Sequence, residues 1–212
     1  MITNEQSDVC DAIRGFGADF VGFANLAAVY EQASATWPCT PHDLPFSISI
    51  GIGLDNSIID RLLHTRDAAT GALYWSACYG EVNERLDAIA AETAQLVEKL
   101  GHRALVVPAT KKVDQEELLG PFSHKLAARL AGLGWIGKSC MLITPERGPR
   151  VRWVTVLTDM PFATPAQPME RRCGSCRQCV DACPAGAFSG VPFNTDEGVE
   201  VRFAVRKCQA YQ

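Results

Sequence analysis

The stretch Cys173–Pro184, "CGSCRQCVDACP", decides how this chain is read. Its four cysteines follow the spacing C-x2-C-x2-C-x3-C with a proline directly after, the bacterial run that holds a [4Fe–4S] cluster. Thiolates two residues apart let one tight loop wrap three corners of a cubane. Gly174 and the small residues Ser175, Ala185 and Gly186 let the backbone come close. Zinc is the rival metal, but structural zinc takes its ligands in two pairs separated by about a dozen residues or more. The crowding here predicts iron–sulfur, with Cys173, Cys176, Cys179 and Cys183 as ligands. In two-cluster proteins the fourth cysteine of such a run serves the other cluster, and a second run completes both. After residue 168 there are five cysteines, the fifth being Cys208. One cluster completed by Cys183 or Cys208, or an interrupted second site, are both open on spacing alone.

Outward from that run, "MPFATPAQPMERR" (160–172) packs three prolines into a short stretch and reads as a linker. The boundary is placed near residue 168, giving regions 1–168 and 169–212, the second lacking a further cysteine run. At 212 residues, 47% hydrophobic and 21% charged, the chain has the composition of a globular protein with a real core. A net charge of −4 argues against nucleic acid as the main partner. No apolar run approaches a membrane helix, and "MITNEQSDVC" has no signal-peptide pattern, so a cytoplasmic location is expected. In a reducing compartment, clustered cysteines favour metal over disulfides. Cys10, Cys39, Cys78 and Cys140 are scattered singly and read as small buried residues.

Region 1–168 mixes helices and strands, so the fold class is α/β or α+β. A helix is predicted around 5–15, strands over "ADFVGFANL" and 46–54 "FSISIGIGL", and a helix opened by Asn56. The 81–100 stretch shows the clearest helical stripe (Val82, Leu86, Ile89, Thr93, Leu96, Val97, Leu100), stopped by Gly101. "RALVVPA" (103–109) reads as a buried strand and 122–132 as a helix. "MLIT" and "VRWVTVLTD" read as strands paired in a hairpin across "PERGPR". Tyr74, Trp75 and Tyr79 form an aromatic knot of core or interface type.

"AARLAGLGWIGKSCMLITPERGPRVRWVTVLTDMPF", followed by "CGSCRQCVDACPAGAF", resembles the epoxyqueuosine reductase family and its shorter iron–sulfur relatives. It is more distantly similar to the reductive dehalogenases. The resemblance implies a nitroreductase-like domain carrying a corrinoid, followed by a ferredoxin-like domain that delivers electrons to the cobalt. It gives Gly132, Gly134, Trp135, Ile136, Gly137 and Lys138 the role of lining the cofactor pocket, with a flavin as the lesser alternative. Read without it, "GLGWIG" is a helix C-cap and turn with Trp135 as core. The resemblance also pairs Cys208 with Cys183 as halves of a second cluster site.

Two departures set the functional expectation. The family carries a catalytic Asp shortly before a proline; Pro121 matches the proline, and the acid's place falls on Leu118, which cannot donate a proton. Glu116, Glu117 and His124 are the neighbouring candidates. The family's tRNA-holding helical repeats also have no counterpart here. The expectation is therefore a reductase for a small molecule, not for epoxyqueuosine, with an electron-donor protein as partner and a homodimer permitted by the implied fold. An electron carrier or activator of a corrinoid protein is the alternative, and a purely structural cluster a third. Lys125 and Lys138 are candidates for an anionic cofactor group. His42, His64 and His102 read as unpartnered or capping histidines.

Overall fold

The computed structural model describes residues 4–33, 43–64, 67–110, 122–163 and 167–211. Helix α1 (Asn4–Gly15) leads into strand β1 (Phe20–Asn25), helix α2 (Ala27–Ala33) and strand β2 (Phe46–Gly53). Helices α3 (Asn56–His64) and α4 (Ala68–Leu73) run into a π-helical stretch, Tyr74–Gly80, and then the long α5 (Glu81–Lys99). Next come strand β3 (Ala104–Val107), helix α6 (His124–Leu130), the short strands β4 (Trp135–Ile136) and β5 (Leu142–Ile143), and strand β6 (Val151–Thr158). The cysteine segment holds α7 (Gln178–Asp181), a 3-10 turn at Val199–Val201, and α8 (Val205–Tyr211). Among the described residues no helix is long and apolar enough to cross a membrane.

The main sheet has the order β1-β2-β6-β3, with all three pairings antiparallel. Side chains alternate across a strand, and here both faces are covered. Ile48, Ile50 and Ile52 of β2, with Val154 and Val156 of β6, pack against Val9 and Ile13 of α1 and Leu86, Ile89 and Val97 of α5. The alternate positions of β2 are Ser47, Ser49 and Gly51, and they are small because α6 and Trp153 press on that face. A Cβ at Gly51 would lie 2.6 Å from the Trp153 ring. The Ile/small alternation thus marks a strand between two helical layers rather than one with a wet face.

Helix α5 ends as its sequence demands. Gly101 adopts φ +88°, donating its N–H to Glu98 while His102 donates to Val97, which satisfies two terminal carbonyls. Four local expectations are corrected. "MLIT" does not pair with "VRWVTVLTD"; β5 pairs with β4, and "PERG" is a tight turn closed by the Thr144–Gly148 bridge. Strand β3 is a sheet edge with Leu105 45% exposed, because among the described residues only β6 borders it. Helix α3 is capped by Asp55, whose carboxylate accepts from the Ser57 N–H at 2.7 Å, one residue before the expected Asn56. Leu100 lies past the helix end and is 39% exposed.

Candidate iron–sulfur and cofactor site

Helix α6 aims the "GLGWIGK" loop. Ser123 caps its start, and Gly132 ends it at φ +72°, with the Gly132 N–H on Arg129 O and the Leu133 N–H on Ala128 O. The chain then turns into β4, whose partner β5 lies so close that Gly134 and Gly137 have no room for a side chain. A Cβ at Gly134 would stand 2.3 Å from Ile143 O, and one at Gly137 2.3 Å from Ile143 Cδ1. The three glycines therefore have structural reasons within the chain itself. Ile136 is buried in an apolar cluster with Leu126, Leu142 and Trp153. Trp135 is only half-buried, its Nε1 is enclosed without a hydrogen-bond partner, and the Arg172 guanidinium lies 5.6 Å from its ring centroid. A buried N–H left unpaired costs about 1–3 kcal/mol, so Trp135 is the residue of this loop with unused binding capacity.

The loop and the cysteine run meet. Lys138 is 8% exposed, and its Nζ donates to Gly174 O at 2.8 Å and Cys176 O at 3.0 Å. The same Cβ built on Gly137 would lie 3.6 Å from Cys173 Sγ. Lys138 was expected to face a cofactor; its ammonium instead clasps the backbone of the cysteine turn. Within that turn the Cys176 N–H bonds Cys173 O at 2.8 Å, Cys179 rides on α7, and the Cys183 sulfur accepts from the Ala187 N–H at 3.4 Å. Cys208 sits on α8, tied back through the Ala204 N–H to Ala187 O. The eight described cysteines form no disulfide. Among the described residues no three His, Cys, Asp or Glu side chains stand close enough together to hold a metal ion. The donor set nevertheless suits an iron–sulfur cluster: soft thiolates at the cluster spacing, beside a buried cation with no carboxylate partner among the described residues. An anionic cluster held by these thiolates would supply a counter-charge to Lys138.

Other candidates resolve into structure. His124 is half-buried, with Nδ1 2.8 Å from Thr155 Oγ1 and Nε2 3.1 Å from Pro108 O. Desolvation pushes its pKa down to about 4, so the ring is neutral near pH 7. Lys125 donates to Cys140 O at 2.7 Å, and burial lowers its pKa, so it does not reach out to an anionic cofactor. His102 lies 3.5 Å from Asp159, and His64 is exposed. Cys78 and Cys140 are buried as expected, while Cys10 is half-buried. Cys39, His42, Glu116, Glu117, Leu118 and Pro121 lie outside the described residues. Sequence reasoning passed over Arg129, Arg171, Arg172 and Arg202, which gather around the junction; the "RR" doublet before Cys173 was their one visible sign.

Comparison with known proteins bears on this geometry. Residues 166–189 match the 4Fe-4S binding domain model. An epoxyqueuosine reductase of Bacillus anthracis is 42% identical over 95 residues, 45% of this chain and 23% of that protein. One of Bacillus subtilis is 46% identical over 69 residues, 32% of this chain and 18% of that protein. This chain is similar to the epoxyqueuosine reductases. It spans about a quarter or less of these relatives' length. An epoxyqueuosine reductase solved with an epoxyqueuosine-modified tRNA-Tyr stem loop superposes with a TM-score of 0.53, covering 86% of this chain and 52% of that one at 22% identity. A catabolic reductive dehalogenase superposes with a TM-score of 0.67, covering 100% of this chain and 31% of that one at 19% identity. The fold class expected from the resemblance holds. The expectation of a small-molecule reductase that leaves epoxyqueuosine alone does not: these relatives all carry the epoxyqueuosine reductase name. That expectation rested on two departures: Leu118 in the acid's place, within a stretch outside the described residues, and the absence of a counterpart to the helical repeats.

Proposed function

We propose that this chain is the cluster-bearing, cofactor-holding part of an oxidoreductase of the epoxyqueuosine reductase kind. It divides near residue 168 into a nitroreductase-like region and an iron–sulfur region. The observation that carries this reading is the clasp of Lys138 on the cysteine turn, which holds the Trp135 loop against the sulfur side chains. Cys173, Cys176 and Cys179 would hold the cluster, completed by Cys183 or, where Cys183 and Cys208 serve a second site, by another ligand. Trp135, its orphaned Nε1 and the flanking Arg172 are the groups best placed to contact a corrinoid. When bound, the two groups supply one-electron transfer and cobalt-centred reduction. The protein's part is distance and order. Gly137 leaves no side chain between loop and Cys173, and Lys138 fixes the turn while placing a positive charge beside it.

The substrate is read as an epoxyqueuosine-type nucleoside carried in RNA. Net charge does not exclude nucleic acid here, since a protein of similar fold was solved with a tRNA stem loop. A chain with net charge −4 can still present a local basic face, and the exposed Arg171 and Arg172 with the half-buried Arg129 form one here. An external electron donor completes the reading.

The test uses protein purified without oxygen, incubated with cobalamin and desalted, then given reductant and an epoxyqueuosine-bearing tRNA stem loop. About four irons per cluster, retained cobalt, and conversion of the nucleoside by mass spectrometry are expected. Loaded protein that leaves the nucleoside untouched would overturn the substrate; protein that takes up no iron would overturn the whole reading.

A further inference from the structure

Three arginines converge on one phenylalanine at the junction between α6 and the cysteine segment. Phe193 is buried, and the Arg129 and Arg202 guanidinium carbons lie 5.2 Å and 4.5 Å from its ring centroid. Arg171 donates to Phe193 O at 3.0 Å. The Nε atoms of Arg129 and Arg202 are enclosed with no hydrogen-bond partner. Among the described residues none of the three forms an ion pair with a carboxylate. Arg129 and Arg171 both line a cavity of about 500 Å³ whose wall continues through Phe193, Asn194 and Thr195, with Glu197 as its acidic member.

Packing like charges together without an anion is unfavourable, and burial and the Arg171 charge both push the Arg129 pKa down. Arg129 in the last turn of α6 complements the helix dipole, which accounts for one of the three cations and not the others. An arginine fork presents paired donors that match a phosphate or carboxylate in bidentate fashion. The ring of Phe193 and its carbonyl hold the forks in place beforehand, so little side-chain entropy remains to be lost on binding. Arg171 is exposed, so the cavity is reachable from solvent. Its volume exceeds what a lone phosphate needs and leaves space for the sugars or other groups that a phosphodiester joins.

We propose that Arg129 and Arg171 form an oxyanion pocket that receives a phosphodiester, from the backbone of an RNA strand or the nucleotide tail of a corrinoid. The pocket stands on its own geometry and does not require the substrate assigned above. The test compares wild-type full chain with Arg171→Gln, Arg129→Gln and the charge-keeping Arg171→Lys. The first arm is thermal unfolding in inorganic phosphate against chloride at equal ionic strength, since a ligand that binds the folded state raises its stability. The wild type and Arg171→Lys should gain stability from phosphate, and Arg171→Gln should not. Arg171 is exposed, so its variant folds even if Arg129→Gln does not.

The second arm measures affinity for an RNA stem loop, for cobalamin, and for cobinamide, which lacks the nucleotide tail. Loss of about ten-fold or more in RNA affinity in Arg171→Gln, with a shallower salt dependence by about 0.7 per lost phosphate contact, assigns the pocket to RNA. The same loss for cobalamin with cobinamide unchanged assigns it to the corrinoid tail. Equal phosphate stabilisation in wild type and Arg171→Gln, with all three affinities unaltered, overturns the pocket. Iron uptake is followed in parallel, so a failed cluster and a failed pocket give different results.

Discussion

The sheet and the cysteine segment are built on opposite principles. In β2 and β6 nearly every residue is buried, and apolar contact with α1, α5 and α6 suffices to hold the sheet together. Across 167–211 the buried residues are Ala187, Phe193 and Arg202 alone, and the helices are four and seven residues long. A piece with so little apolar burial does not fold on hydrophobic energy; small units of that size lean on metals or on docking. Both supports are visible here. Phe193 plugs into the apolar cluster of Leu126, Ile136 and Trp153, Lys138 clasps the cysteine turn, and Cys173, Cys176, Cys179 and Cys183 carry the cluster spacing.

If the contrast is right, removing the cluster should affect one region and spare the other. Cys179→Ser should abolish cluster binding, drop iron from about four per cluster to near zero, and expose 167–211 to limited proteolysis. The far-UV circular dichroism of the sheet region should persist. A simultaneous collapse of both regions would erase the distinction.

The reverse experiment strikes the sheet. Ile50 is fully buried, and Ile50→Ala should lose about 2–5 kcal/mol in denaturant titration. The loss should appear with or without iron, which the cysteine segment's own stability should not show.

A pH titration sharpens the same line. His124 is held near pKa 4 in the folded chain against 6.5 when unfolded, so the folded state binds fewer protons between those values. Its contribution is complete above pH 6.5 and is lost as pH falls towards 4, roughly 3 kcal/mol in all. His124→Gln should flatten that part of the stability-against-pH curve, measured on protein without iron so that thiol protonation does not enter.

The smallest effect lies at the seam. Lys138→Met removes two hydrogen bonds donated by a cation to neutral carbonyls, a net loss of about 1–2 kcal/mol in all. Much of that falls on local ordering of the cysteine turn, so hydrogen exchange at Gly174–Cys176 should rise while exchange in β2 and β6 stays slow. The reduction midpoint of the bound cluster should also move to lower potential, since a positive charge beside it is gone. Lys138→Arg should restore the midpoint more fully than the exchange rates.

Much of this was legible along the chain. The stripe of α5, its Gly101 stop, β1, β2 and the cluster spacing all follow from local periodicity or from residues a few positions apart. The hairpin was misread because "MLIT" and "VRWVTVLTD" are both strand-like, and local pattern does not say which strand each will choose. β4 won over β6 because Gly134 and Gly137 let it approach Ile143 closely. The same limit applied to Lys138. Its place after "GLGWIG" was plain, but its direction, towards Gly174 and Cys176, depends on how a segment 36 positions later folds back.

By itself, then, the sequence determined the elements and the chemistry of the cysteine run, because helical and strand periods and ligand spacing are written within a few residues. Only the tertiary structure decided that His124 is a half-buried neutral strut, that the small face of β2 is dry, and that three arginines with no ion pair among the described residues meet at Phe193. Burial and charge pairing are set by what long-range contacts bring alongside a residue, and those contacts close between segments that the linear order keeps apart.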